Sequence, residues 1–332
     1  MKKYKKYLRW ETMLIVVLIA ELLIFGKINP RFLNARTLLF STNDFITIGI
    51  IALFVTFVII TGGMDISSGS IIGLTSITMG LLWKMLGFNI WLTLPLALLV
   101  GALAGLLNGY LVAYIGVQPM VTTLGTSLFY SGLSLVIMGL SGASAYEGIG
   151  GFPKSFVNLA NGSIAYIPIP FIIFVVLFVI AYFLLHRTKY GRYIYLIGIN
   201  PHAAKYSGIK IKPVIMSTYV LSGISASIGG ILLTSYLGSS RPEHGATLTM
   251  PIITAVVLGG TLITGGGGSV IGTALAAIIV GFFRFGSQMA GVSSQYISIG
   301  EGILLISAVA LRGFNLKSLS NHFMSGKDII KS

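Results

Sequence analysis

The sequence predicts an all-α, polytopic transmembrane helical bundle of about ten spans, and three observations carry that prediction. Of the 332 residues, 55% are hydrophobic and only 9% are charged, where soluble domains carry about 25% charged residues. Apolar stretches near the length needed to cross a bilayer recur along the whole chain. The 22 Lys and Arg residues, against 8 Asp and Glu, gather in short segments between or outside those stretches. That placement orients a membrane protein, so the formal charge of +14 does not argue for a nucleic-acid partner. The first apolar run is long, lacks a small-residue cleavage site and is followed by more spans, so it is expected to stay as a span rather than be cleaved as a signal. The absence of cysteine excludes disulfide and thiol chemistry.

In chain order the expected spans are 10–26, 44–61, 66–83, 90–115, 119–140, 165–185, 214–236, 247–263, 269–289 and 295–311. Three basic segments set their direction. Lys2, Lys3, Lys5, Lys6 and Arg9 precede the first span; Arg187, Lys189, Arg192, Lys205, Lys210 and Lys212 lie in the loop 186–213; Arg312, Lys317, Lys327 and Lys331 follow the last. Ten spans place all three on one side, which the positive-inside rule makes cytoplasmic, together with both termini. Lys27, Arg31 and Arg36 run against the rule, because the loop after the first span comes out external. On the same topology loops 141–164 and 237–246 are external, with Glu147 and the run Arg241-Pro242-Glu243-His244, either as solvated turns or as surfaces for a partner that delivers substrate. Trp83 and Trp91 flank an external turn and fit interfacial anchors.

One stretch is repeated. "GGMDISSGSIIG" at 62–73 returns as "GGTLITGGGGSVIG" at 259–272, with two extra residues in the second copy. Both copies follow one apolar span, precede another and face the cytoplasm in this topology. Internal repeats of this kind recur in transporters built from related halves. Neither copy binds nucleotide in the Walker manner, because no lysine follows either glycine run. Gly62, Gly63, Gly69, Gly259 and Gly260 are expected to permit tight turns and close helix packing. Asp65 has no acidic counterpart in the second copy, where Leu262 takes its place on this alignment. Its readings are a cap for the third span through the amides of Ser67 or Ser68, a gate or latch, and direct substrate contact; the topology sets it near the cytoplasmic rim.

The longest cytoplasmic loop carries "YGRYIYLIGINPHAAKYSGIKI" at 190–211. Gly191 and Gly198 suit turns, and Asn200 is expected to cap a short helix with Pro201 at its first position and Ala203 and Ala204 inside. Such a helix across the cytoplasmic face would suit a partner's push, although basic loops also serve simply to orient a membrane protein. Among intramembrane charges, Arg284 and Glu301 stand at similar distances from the turn at Gly291-Val292. They are expected to share depth and either an ion pair or a polar network, or else to be solvated separately. Asn108, Gln118, Thr122, Thr123 and Gln288 offer neutral hydrogen-bonding groups for interhelical bonds or for a polyhydroxylated substrate. Gly101, Ala104 and Gly105 are expected to allow close helix packing.

Three motifs now carry a resemblance: "GGMDISSGSIIG" at 62–73, "GRYIYLIGINPHAAKYSGI" at 191–209 and "VLGGTLITGGGGSVIGTALAAIIVG" at 257–281. Over nearly its whole length the chain resembles the integral membrane permeases of bacterial ATP-binding-cassette importers for ribose, arabinose, xylose and related small polyols. Within that family, "NPRFLNARTLLFSTNDFITIGI" at 29–50, "GASAYEGIGGFP" at 142–153 and "QMAGVS" at 288–293 resemble the autoinducer 2 import subgroup. The resemblance implies a single permease domain over 1–332, with the loop 186–213 coupling to the ATPase through Arg192, Gly198, Asn200, Ala203 and Ala204. It implies a heterodimer with a sister permease, two cytoplasmic ATP-binding subunits and a periplasmic substrate-binding protein. ATP would be used by the partner, and no cofactor or metal would be bound by this chain. The cell inner membrane is the implied location. Two other readings remain: a ribose or arabinose permease of the same architecture, and an ion-coupled secondary transporter, for which Glu301 is the one strong mid-membrane carboxylate. A membrane enzyme is disfavoured, since no His/Asp/Glu cluster or nucleophile arrangement is evident and the four histidines are dispersed.

Overall fold

A computed structural model describes residues 2–142 and 148–313 of the chain, with side chains placed within 10–307. Glu147 and the basic tail beyond Gly313 lie outside the described residues. The chain runs through α1 (Lys2–Ile28), a 3-10 turn (Pro30–Leu33), α2 (Ala35–Ile60), α3 (Ser68–Lys84), α4 (Ile90–Tyr110, prolonged by a π turn over Leu111–Ile115) and α5 (Pro119–Leu140). It continues with α6 (Lys154–Asn161), α7 (Ile169–Arg187), α8 (Lys189–Ile199), α9 (Pro201–Tyr206), α10 (Ile211–Leu237), α11 (Thr249–Leu258), α12 (Val270–Met289) and α13 (Ser294–Gly313). The only extended pairing among the described residues is short: Ile149–Gly150 with Ser239–Ser240, and Ser163–Ile164 with Ile167–Pro168.

The architecture is an all-α bundle. Among the described residues six helices are long and apolar enough to cross a membrane: α2, α4 with its π turn, α5, α7, α10 and α12. The expected segment 247–263 is the largest departure, because only Thr249–Leu258 is helical there. α2 is apolar on every face and is buried almost without a break from Phe45 to Ile60, as a helix at the centre of a bundle must be. α5 and α7 expose most of their surface, including Leu128, Phe129, Val176 and Phe183.

Small and hydroxylated residues hold the centre. A Cβ at Gly101 or Gly105 would overlap backbone of α10, at Gly223 and Tyr219 respectively, so α4 and α10 touch through their main chains. Between α3 and α10, Thr75 shares a hydrogen bond with Ser227 (2.8 Å) and Ser76 with Thr234 (2.7 Å). Both pairs are buried, so each hydroxyl satisfies the other where no water can.

Two helices end in glycine turns. α2 ends at Gly62, whose φ is +83°. Gly62 N donates to Ile59 O and Gly63 N to Val58 O, the two bonds of a Schellman closure. The chain then runs without helix to Ser68. The second glycine run closes α11 in the same way: Gly260 has φ +93°, with Gly260 N on Val257 O and Thr261 N on Val256 O. The structural equivalence is therefore Gly62 with Gly260, one residue off the alignment of the two GG pairs. Ile263, not Leu262, corresponds to Asp65, because the left-handed residue sets the register.

The segment between α10 and α11, expected as the external loop 237–246, is more than a solvated turn. Gly238 ends α10 in the left-handed region. The following segment then packs along α3: Ser240 lies beside Gly80, Pro242 against Gly73 and Gly245 against Gly69. Ser240 and Gly245 are buried, while Arg241 and Glu243 face outward as an ion pair at 3.8 Å. The loop carrying Lys27, Arg31 and Arg36 is anchored too: Phe32 is fully buried among Phe25, Phe282 and Phe285, leaving all three cations exposed. Trp91 is exposed, whereas Trp83 stacks on Phe152 at 6.5 Å between ring centroids.

Candidate functional site

Asp65 is 1% exposed and belongs to a network that links the start of α3 with α4, α5 and α10. Its Oδ1 accepts from Ser67 N (3.0 Å) and Ser67 Oγ (2.6 Å), and its Oδ2 from Ser222 Oγ on α10 (2.6 Å). Asn108 Nδ2 on α4 donates to Ser67 Oγ at 2.7 Å, and Tyr130 of α5 donates to Ala104 O at 2.9 Å and to Asn108 Oδ1 at 3.3 Å. Next to Asp65, the Met64 carbonyl accepts from Tyr219 of α10 and Thr123 of α5, both at 3.3 Å. The carboxylate thus satisfies three buried donors, the condition under which a buried acid is tolerated. Ser67, not Asp65, occupies the N-cap position of α3, and its own side chain makes no cap bond.

Asp65 is buried, and its surroundings reach different distances along their helices. Ser222 lies 11 residues into α10 from Ile211, whereas Thr123, which bonds the adjacent Met64 carbonyl, lies 4 into α5 from Pro119. At about 1.5 Å per residue these are roughly 16 Å and 6 Å from the starts of their helices.

The candidate path residues do not form one group. Asn108, Thr122 and Thr123 are buried on α4 and α5, Asn108 and Thr123 tied to the stretch before α3. Gln118 is exposed at the turn before α5, and Gln288 is exposed near the end of α12. Glu301 is buried on α13, with Arg284 Nε at 3.8 Å from its Oε1. That pairing joins α12 to α13.

The segment after α7 is two short helices rather than a loop. Thr188 Oγ1 accepts from Gly191 N (3.2 Å) at the start of α8, and Asn200 Oδ1 accepts from Ala203 N (3.1 Å) at the start of α9, with Pro201 first. Gly191 and Gly198, expected in turns, lie inside α8 because their missing side chains admit other backbone: Leu185 at the first, Ile60 and Gly266 at the second. Ile194, Ile197, Ala204 and Ile209 point inward, while Arg192, Tyr193, Leu196, Ile199 and Tyr206 face out. The two glycine turns meet beneath α8, where Gly266 N donates to Ile60 O at 2.8 Å. α1 closes the same end: Trp10 Nε1 donates to Leu258 O at 3.0 Å, and Glu11 accepts from Ser269 Oγ at 2.9 Å.

Several of these residues carry no local signal. Ser222 and Tyr130 are remote from Asp65 in sequence. The hydroxyl-rich face of α10, with Thr218, Ser222, Ser225, Ser227, Thr234 and Ser235 all buried, is the one pattern that marks that helix as a polar seam.

Comparison with known proteins places this geometry. Residues 37–309 match the model of a family described as branched-chain amino acid transport system / permease component. The chain is 48% identical over 316 residues to the autoinducer 2 import system permease protein LsrD of Salmonella typhimurium, covering 95% of each chain. It is 47% identical over 309 residues to the LsrD of Enterobacter sp., with 93% and 94% covered, and 45% identical over 312 residues to that of Klebsiella pneumoniae, with 94% of each. No solved structure matches. The chain therefore belongs to the branched-chain amino acid transport system / permease component family, as a membrane transport subunit and not an enzyme.

Proposed function

We propose that this chain is one of two permease subunits of an ATP-driven importer for autoinducer 2 in the cell inner membrane. Its sister permease completes the pathway, two cytoplasmic ATP-binding subunits drive it, and a periplasmic binding protein delivers the signal. Both termini and the segment 186–213 face the cytoplasm. The substrate reading is supported by the relatives, which are named as autoinducer 2 permeases and match nearly end to end. The coupling reading is supported by α8 and α9, which present an exposed surface bearing Arg192, Leu196, Ile199, Lys205 and Tyr206 at the end where the glycine turns gather. No bond in the substrate is broken; the chain changes conformation around it.

Uptake into vesicles, with the components added one at a time, tests the whole reading. ATP-dependent uptake of autoinducer 2 that needs the sister permease, ATPase and binding protein is the expected result. Uptake by this chain alone under an ion gradient would overturn it. ATP-dependent uptake of ribose or arabinose in place of autoinducer 2 would keep the importer and replace the substrate.

A further inference from the structure

Two of the three motifs singled out in the sequence, and the end of α2 just before the third, meet at one residue. A Cβ at Gly198 of α8 would overlap the carbonyl oxygen of Ile60, at the end of α2, and lie 2.5 Å from Gly266 N in the second glycine run. Those two partners are themselves bonded through Gly266 N and Ile60 O. A Cβ at Gly265 would lie 2.9 Å from Gly62 N and 3.1 Å from Gly198 O, so the second turn touches the first turn and α8 together. Tyr195, one helical turn before Gly198, donates to Gly268 O at 2.9 Å.

We propose that Gly198 keys α8 to both glycine turns, so that α8 and the paired turns move as one rigid piece and Gly198 positions the transport pathway rather than the ATPase. The inference rests on the coupling role given to α8 and α9 above. Its physical basis is that the contacts are backbone against backbone, with no long side chain between them to absorb a displacement. A push on α8 reaches the first turn at Ile60. From there it passes through the Met64 carbonyl to Tyr219 and Thr123, and through Asp65 to Ser222. It reaches the second turn at Gly266, and so α11 and α12. The helices that flank the two glycine turns are thereby driven together from one contact, the discrete rearrangement that energetic coupling requires.

Gly198→Ala tests this, because its methyl must push α8 off the Ile60 carbonyl and Gly266 N. In the purified full-length chain the substitution is expected to speed amide hydrogen exchange in both glycine turns as well as in α8. Faster exchange confined to α8 overturns the rigid piece. Exchange is scored on the chain alone, so an unsubstituted complex that shows no ATP-dependent uptake counts against the proposed function and leaves this result standing. The reconstituted complex supplies the second readout for Gly198→Ala. Hydrolysis stimulated by the loaded binding protein is expected to fall about 2- to 30-fold, with the ATPase still co-purifying. Unchanged stimulation, or a loss explained wholly by lost ATPase binding, overturns the positioning role.

Discussion

Removing the Asp65 carboxylate is the perturbation whose size follows most directly from the structure. Asp65→Ala leaves Ser67 N, Ser67 Oγ and Ser222 Oγ without their acceptor in a region that is 1% exposed or less at all three residues. Each buried donor left unpaired costs about 1–3 kcal/mol, so the sum is at least about 3 kcal/mol. That is a large fraction of a typical folding stability of about 5–15 kcal/mol. Asp65→Asn is milder. Its amide oxygen keeps both Ser67 donors, and its NH2 group faces a Ser222 hydroxyl that can rotate to accept, which limits the loss to about 0.5–1.5 kcal/mol. The assay is SDS-titrated unfolding of the purified chain in mixed micelles, for both variants, Ser222→Ala and the double variant Asp65→Ala/Ser222→Ala. Ser222→Ala is expected to cost less in the Asp65→Ala background than in wild type, with a coupling of about 0.5–3 kcal/mol. Stability of Asp65→Ala within about 0.5 kcal/mol of wild type, or strict additivity with Ser222→Ala, would refute the network as the reason for this acid. Substrate specificity of whatever Asp65→Asn protein reaches the membrane is expected to be unchanged, because the carboxylate is consumed by internal donors.

The other predictions concern the remaining contacts. Glu301→Ala is expected to destabilise by about 1–3 kcal/mol, below the cost for a fully buried pair because both side chains are partly exposed. The swap Arg284→Glu/Glu301→Arg should recover most of it in the same unfolding assay, and a swap no better than either single change counts against the pair. Gly73→Ala is expected to cost about 1–3 kcal/mol, since its methyl overlaps the backbone of Pro242 and must displace the segment 239–248. Enhanced proteolysis within that segment would report the displacement, and wild-type protection would contradict it. Arg192→Glu and Tyr206→Ala change exposed side chains, so unfolding should shift by no more than about 0.5 kcal/mol. Co-purification of the ATPase should fall in both, and wild-type amounts would remove these residues from the docking face.

The class, the order of the helices and the identity of the important segments were legible because they depend on local pattern. Apolar runs place helices, Asn200-Pro201 marks the start of α9, and the glycine runs mark where helices must stop. The pairing of Arg284 with Glu301 was also legible, because a short turn brings neighbouring helices into fixed register. What failed were inferences that needed the third dimension. Glycines at 191 and 198 resemble turn residues until another backbone is seen lying across them. The segment 238–248 is polar enough to pass for a surface loop, yet Gly69 and Gly73 admit its main chain and Gly80 admits the Ser240 side chain.

By itself, then, the sequence determined that this chain is a many-helix membrane bundle with two glycine-rich interruptions and a basic segment between its halves. Only the tertiary structure decided that those three features touch one another, and that Asp65 is buried in a hydrogen-bond network among helices. The physical reason is range. Hydropathy and helix signals act over a few residues, whereas the Asp65–Ser222 bond closes a separation of 157 positions and the Ile60–Gly266 contact joins two runs of the chain far apart. Such contacts exist only once α2, α4, α10 and α12 have packed closely enough for backbone to meet backbone.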